Sequence, residues 1–331
     1  MNVGRLNSTR YTPGQTQGHY ESFFQRANHP TRPLAFWIRY TIFSPAGHPE
    51  KAIGELWAMV FNGETGEHVA VKEEHPLSAC RFDRDGFGAQ VGSAVLEPGT
   101  LSGSCTSRRR TVTWNLRYAG GQPPIHFLPP ALYEGSFPKA KSFVGVPLAV
   151  YSGSVSVDGH TIDVQEWSGS QNHNWGRQHT DYYAFGQVAG FDNDPDSFLE
   201  IVSAQLKFGP LWTPTLTPIV LRRHGKDHSF VRLIDAARTR GKFRYFDWTF
   251  RAENHDVTIA GRISAPKDAF VGLTYYNPPG GIKHCLNSKL ATCEVTVIDK
   301  VSGRQDVLTA RHRAAFEILT DDRAHGVPIQ V

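Results

Sequence analysis

Cysteine is scarce in this chain. The four present in 331 residues, Cys80, Cys105, Cys285 and Cys293, fall at spacings that match neither a zinc nor a redox signature. A chain of this length needs no disulfide frame, so buried thiols are expected. Long apolar runs are also missing: nothing approaches the roughly 18 consecutive apolar residues of a membrane span. Residues 1–18 are polar, rich in Gly, Pro and Thr, and without the apolar stretch of a secretory signal, so a soluble, cytoplasmic protein is expected. There is no glycine-rich phosphate loop, nucleophile elbow or paired-cysteine motif, and hence no support for a nucleotide or other cofactor. Strong charge of one sign is absent as well. The 35 basic and 31 acidic side chains give +4, spread over both halves, and the one dense basic run, Arg108-Arg109-Arg110, directly precedes an alternating strand. Nucleic acid is not an expected partner.

Helical apolar periodicity is the last absence, and it leaves an all-β chain of short strands punctuated by Gly, Pro and Asn or Asp turns. In residues 36–43, Phe36, Ile38, Tyr40 and Ile42 share one face. Residues 112–118 alternate more strictly, with Val112, Trp114, Leu116 and Tyr118 on one side. Asp158-Gly159 lies between two alternating runs and predicts a tight hairpin. Further strands are read at 182–191, 198–208, 216–223, 230–234, 243–251, 257–263, 269–276, 289–299 and 307–316, enough to close a second barrel. The expected organisation is a flexible segment 1–17, a barrel over 18–165 and a second over 166–331. Residues 120–141 carry five prolines that oppose regular pairing, yet Ile125, Phe127, Leu128, Leu132, Tyr133 and Phe137 call for burial. A long ordered loop packed on a barrel mouth satisfies both.

Polar and aromatic groups are densest over residues 166–183, which include Gln171-Asn172-His173-Asn174-Trp175-Gly176. Strand register puts Glu166 on the face of Ile162 and Val164, so an apolar face ends in a carboxylate. A partly desolvated carboxyl beside Trp167 or Trp175 would hold its proton near neutral pH and serve as a general acid. Asp181 is a second candidate acid, with a turn cap as its structural alternative. Glu200 shares a face with Phe198, Val202, Ala204 and Leu206, and Glu21 sits among Tyr20, Phe23 and Phe24 in a segment expected to plug the closed end of a barrel. Residues 55–61 are apolar on both faces, as in a strand with Trp57 toward a ligand cavity. His173 and His179 stand six apart in a glycine-containing loop, a spacing that fixes no metal geometry, and no metal is expected.

At Gly18-His19-Tyr20-Glu21-Ser22, the strand 36–43, Gln171-Asn172-His173-Asn174-Trp175-Gly176 and Tyr183-Ala184-Phe185-Gly186-Gln187, the chain resembles the AttH, carotenoid 1,2-hydratase and tocopherol cyclase-like group of the calycin superfamily. The resemblance covers most of the first 190 residues. It implies two lipocalin-like antiparallel β-barrels side by side, an apolar cavity, no cofactor, and prenylated or polyene substrates, and it leaves open a peripheral membrane contact for their uptake. The hydratase motif carries an aspartate where this chain has Asn172, and an amide cannot protonate an alkene. Carotenoid hydration is therefore disfavoured. The expected activity is intramolecular cyclisation or rearrangement, by acid catalysis or by holding a reactive conformer, with Glu166, Asp181, His173 and Asn172 as the catalytic candidates. Trp175, Asn174, Tyr183, Gln187, Trp57, Glu200 and Glu21 are the candidate substrate contacts. The alternatives are a non-catalytic carrier of a lipophilic ligand and a purely structural module.

Overall fold

The computed structural model describes residues 6–331, apart from the side chain of Phe208. Alternating sequence folds into two antiparallel sheets. The first contains β1 (His19–Asn28), β2 (Leu34–Ser44), β3 (Ile53–Asn62), β4 (His68–Pro76), β5 (Cys80–Phe82), β6 (Ala89–Val91), β7 (Ala94–Glu97), β8 (Thr100–Ser107), β9 (Arg110–Ala119), β10 (Ile125–His126), β11 (Ala140–Val157) and β12 (His160–Gly176). Its order is β4-β3-β2-β1-β12-β11-β9-β8-β7-β6-β5, with β10 beside β11. The second contains β13 (Tyr182–Phe191), β14 (Asp194–Gln205), β17 (Ile219–Arg223), β18 (Lys226–Phe230), β19 (Arg240–Arg244), β20 (Asp247–Glu253), β21 (Val257–Ser264), β22 (Val271–Tyr276), β23 (Ile282–Asp299) and β24 (Gln305–Thr320). There the order is β18-β17-β14-β13-β24-β23-β21-β20-β19, and β22 pairs with β23. A small hairpin of β15 (Lys207–Phe208) and β16 (Leu211–Trp212) stands apart. One sheet curls into a nearly closed barrel and the other into a half-barrel.

The hairpin expected at Asp158-Gly159 is present. Both residues have positive φ, 49° and 86°, and Val157 pairs with His160. The expected junction at 165/166 falls inside β12, because that strand runs on to Gly176 beside β1, and the change of sheet comes over residues 177–181. Residues 19–28 do not plug a barrel end. They form β1, paired on both sides with β2 and β12. It is residues 6–11 of the expected flexible segment that pack: Leu6 and Tyr11 are buried, while residues 1–5 lie outside the described residues. The strand expected at 230–234 gives way to helix α2 (Leu233–Arg238), which follows helix α1 (Ala131–Glu134) in the chain.

Each curled interior is filled by side chains. Phe36, Trp114, Tyr151 and Trp167 occupy the first, and Trp248, Phe250, Phe270 and Phe316 the second. On β3, Leu56, Ala58 and Val60 point into the first core, whereas Trp57, Met59 and Phe61 pack with Leu273, Tyr275 and Leu319 of the other sheet. The apolar second face of β3 thus answers to a sheet-to-sheet contact, in place of the expected cavity within a barrel.

The pairing of β1 with β12 is closest at Gly169, which lies opposite Ala27. A Cβ there would stand 1.8 Å from the Arg26 carbonyl oxygen, and backbone cannot yield as a side chain can. Gly169→Ala should lower unfolding stability by about 1–3 kcal/mol or more, read as a drop in urea midpoint at unchanged m-value.

Candidate active site

Strand alternation divides the 171–176 motif between two environments. Opposite β1, Trp175 pairs with Glu21, His173 with Phe23 and Gln171 with Gln25, all on the face away from the second sheet. There Glu21 is fully buried and accepts from His173 Nε2 (2.8 Å), from His19 Nε2 (2.9 Å) and from the backbone N–H groups of Arg10 and Tyr11 (2.7 and 2.9 Å). Burial opposes ionisation of Glu21, but the bonds from the two histidines outweigh it and hold the carboxyl down at about 2. His173 also bonds the Leu6 carbonyl through Nδ1 at 2.9 Å and stacks on Phe23. These bonds tie residues 6–11 to this face.

Asn172 and Asn174 turn the other way, toward the second sheet. Asn172 belongs to a buried polar layer centred on Gln187. The Gln187 amide nitrogen donates to Asn172 Oδ1 (2.8 Å) and Glu200 Oε2 (2.7 Å), and its oxygen accepts from Arg26 Nε (2.5 Å) and Ser170 Oγ (2.7 Å). Asn172 donates in turn to Ser170 Oγ at 2.8 Å. A second buried group joins Lys289 Nζ to Glu317 Oε1 at 2.6 Å. Burial pushes the Glu200 carboxyl up to about 7, against the opposing pull of the bonds from Gln187 and Ser142 and the charge of Arg26.

Beside this layer, between the sheets, lies a cavity of about 380 Å³. Apolar side chains of both sheets, of residues 127–138 and of α2 make most of its wall. Its polar groups come from β1 (Ser22), β2 (Trp37 and Arg39), β11 (Lys141 and Ser142), β12 (Asn174), β24 (Glu317), and His179 in the 177–181 connection. Four polar atoms on this wall, Ser22 Oγ, Trp37 Nε1, Arg39 Nε and Asn174 Oδ1, are buried without a hydrogen-bond partner among the described residues. A buried polar atom left unpaired costs about 1–3 kcal/mol, so these four are open to hydrogen-bond whatever occupies the cavity. Ser142 Oγ joins this wall to Glu200 Oε1 at 3.2 Å. His179 stacks on Tyr20 with ring centroids 4.0 Å apart. Burial, reinforced by Arg39 and Lys283, pushes its imidazole down to about 3.

Of the expected substrate contacts, Asn174 and Tyr183 line the cavity. Glu200 reaches it through Ser142, and Gln187 and Trp57 stand one layer back, Trp57 edge-on to Tyr275 at 5.6 Å. Trp175 and Glu21 face away from it. Neither expected acid is there. Glu166 sits at an irregularity of β12 with φ of 53°, which breaks the alternation and turns its side chain to solvent. Asp181 accepts from the Lys207 backbone N–H at 2.9 Å, a bond to the distant β15 in place of the expected acid or turn cap. Arg39, Lys141, Ser142 and Glu317 escaped the sequence reading. Arg39 and Glu317 do carry a signal, a charge within a strand that is apolar on both sides. Among the described residues, no three His, Cys, Asp or Glu side chains converge as a metal-ligand set.

No family model matches the chain. Two uncharacterized proteins of Mycobacterium tuberculosis, MT0513 of strain CDC 1551 and Rv0493c of strain H37Rv, are each 26% identical over 206 residues, 62% of this chain. The chain spans 60% of the length of these relatives. Among solved structures, NE1406 of Nitrosomonas europaea, provisionally described as an AttH, superposes with a TM-score of 0.56 at 13% identity, covering 94% of this chain and 98% of its own. Kievitone hydratase from Nectria haematococca gives 0.58 at 13% (96% and 92% covered), and CghA 0.56 at 11% (95% and 93% covered). The chain has the fold of these proteins, as the motif resemblance implies.

The buried imidazole of His179 sets a pH dependence. Its folded pKa lies below the ordinary 6.5, so the unfolded chain takes up the proton first. The stability that goes with the neutral ring is complete above about pH 6.5 and is lost as pH falls toward 3, by up to about 1.4 kcal/mol per pH unit. Glu200 acts in the opposite sense between 4.5 and 7, so the comparison with His179→Phe isolates the histidine. Urea titrations at pH 7, 6 and 5 should show wild type losing stability relative to this variant at each step down.

Proposed function

We propose that this chain is an enzyme that takes an apolar small molecule of the prenylated or polyene type into the cavity between its sheets and cyclises or rearranges it without a cofactor. One observation carries the proposal. A buried carboxyl raised to about 7, Glu200, is hydrogen-bonded to Ser142 on the wall of an otherwise apolar cavity. At that pKa a carboxylic acid is populated near neutral pH, where acid catalysis is most effective. With Glu200 ionised, Ser142 Oγ donates to Oε1; once Glu200 is protonated the bond reverses, and Ser142 takes the carboxyl proton as its own passes to the bound olefin. Gln187 holds the other carboxyl oxygen at 2.7 Å and fixes its direction. The rings of Tyr20, Trp37, Tyr183 and Tyr275 line the same space and shield from water the positive charge that protonation creates. Asn172 is occupied in the layer behind the wall, so the proton source of this reading is Glu200.

The fold shared with kievitone hydratase and CghA supports an enzyme of the hydratase or cyclase type. Of the wall residues, Phe137 and Leu233 are also exposed, by 52% and 61%, and Leu211 and Trp212 of the neighbouring hairpin by 71% and 48%. Such an apolar surface supports loading from a membrane.

The test begins with organic extraction of the purified protein and mass spectrometry of any ligand that accompanies it. Turnover of prenylated phenols and polyenes is then compared among variants. Glu200→Gln should lose about 100-fold or more in kcat and Ser142→Ala about tenfold, with Glu166→Gln at the wild-type rate. Full activity in Glu200→Gln would remove the acid. A ligand that is bound and released unchanged would establish a carrier instead.

A further inference from the structure

The cavity is apolar in area but not in charge. Its wall bears one cation, Arg39, and one carboxylate, Glu317, with a second cation, Lys141, at its border on the strand face of Trp175. The carboxylate already has a partner in Lys289 Nζ, 2.6 Å away. Glu55, whose charge also acts on Arg39, pairs with Lys72 at 2.7 Å. Neither cation has a carboxylate within ion-pair distance among the described residues. The Lys141 ammonium donates to the carbonyls of Gly135 and Pro138 (2.7 and 3.0 Å), which orient it without neutralising it. Arg39 is only 6% exposed, and its guanidinium lies over the rings of Tyr275, Trp37 and Trp57 at 4.6, 5.8 and 6.0 Å, with Nε unpartnered.

The Arg39 guanidinium lies against ring faces and feels the charges of Glu55 and Glu317, yet its buried Nε lacks the hydrogen-bonding partner that buried polar groups nearly always have. The rings contribute cation–π attraction but accept no strong hydrogen bond. The adjacent imidazole of His179 supplies no negative charge. Trp37 Nε1 is a further free donor on the same wall. What these groups lack in common is a negatively charged acceptor.

Resting on the reading of this cavity as the substrate site, we infer that the ligand is a lipophilic anion, an apolar body ending in a carboxylate or an equally acidic enol or phenol, whose charged oxygen is received by Arg39. An uncharged polyene would leave the guanidinium without a strong acceptor. An amphipathic acid fills the apolar wall and supplies the missing charge together.

The probes are retinoic acid and its methyl ester, which share a polyene body and differ in the charge at its end. Binding to the full chain is followed by quenching of tryptophan fluorescence, with Trp37 on the cavity wall. Wild type should bind the acid about tenfold or more tighter than the ester, the range expected of one charge-assisted contact in a buried site. Arg39→Met should bring the two affinities together chiefly by weakening the acid, and Arg39→Lys should retain most of the preference. Equal affinities in wild type overturn the inference and leave the cavity as a binding site. So does an acid preference that survives in Arg39→Met. Binding of neither probe counts against the cavity reading and this inference together. A melting temperature for ligand-free Arg39→Met well below wild type would make Arg39 a structural group and also overturn it.

Discussion

The constraint on which the rest of this structure depends is the satisfaction of polar groups between two sheets packed face to face. Strand alternation leaves no choice about which residues enter that layer. If Phe23 and Gln25 of β1 face the first core, then Ser22, Phe24 and Arg26 must face the second sheet. On the far side, the register of β13 that buries Ala184 and Val188 in its own core sends Tyr183, Phe185 and Gln187 inward to meet them. A buried arginine in such a layer is tolerable only with strong acceptors, and Gln187 supplies one at 2.5 Å while tying Arg26 to Ser170, Asn172 and Glu200. The sheets are therefore held in register by directional bonds as well as by apolar contact.

The same layer passes from satisfied to unsatisfied over a few residues of β1 and β12. At Arg26 and Asn28 every polar group found has a partner: Asn28 donates to the Lys289 carbonyl and accepts from Arg26. Toward the other end of the strands, Ser22 and Asn174 stand directly opposite one another and each presents an unpartnered oxygen. These positions differ in what faces them. The polar layer is opposed by β13, β14 and β23, while the cavity is roofed by residues 127–138, whose prolines prevent the strand that would otherwise close the gap.

Much of this was legible in the sequence because alternation is a direct consequence of strand geometry. The strand 182–191, the Asp158-Gly159 hairpin and the shared face of Phe198, Glu200, Val202 and Ala204 all follow from it. The errors have physical causes too. Glu166 was placed by extending alternation through a position where a residue with positive φ resets the phase. The polar residues around His173 and His179 suggest a glycine-containing loop, whereas residues 171–176 continue β12 with both faces largely buried, Asn172 and His173 finding partners on opposite sides. Arg39 passed unnoticed between Ile38 and Tyr40, since one charge in an apolar strand looks like its solvent face until a second sheet is known to cover it.

That second cover also explains why the cavity lies outside the filled interiors. The interiors are occupied by rings, Trp114, Tyr151 and Trp167 in one and Trp248, Phe270 and Phe316 in the other, so neither leaves room for a ligand. Two curved sheets cannot stay in contact along their whole length. Where β3 meets β22 and β23 they touch through Trp57, Leu273 and Leu290, and where they diverge the gap is the cavity. A site in such a gap draws its groups from both sheets. Arg39 and Glu317 come from strands that are never hydrogen-bonded to one another, and their separation is set by the packing of one sheet on the other. Chemistry on this fold can therefore change by substitutions on the facing surfaces while both filled cores stay intact.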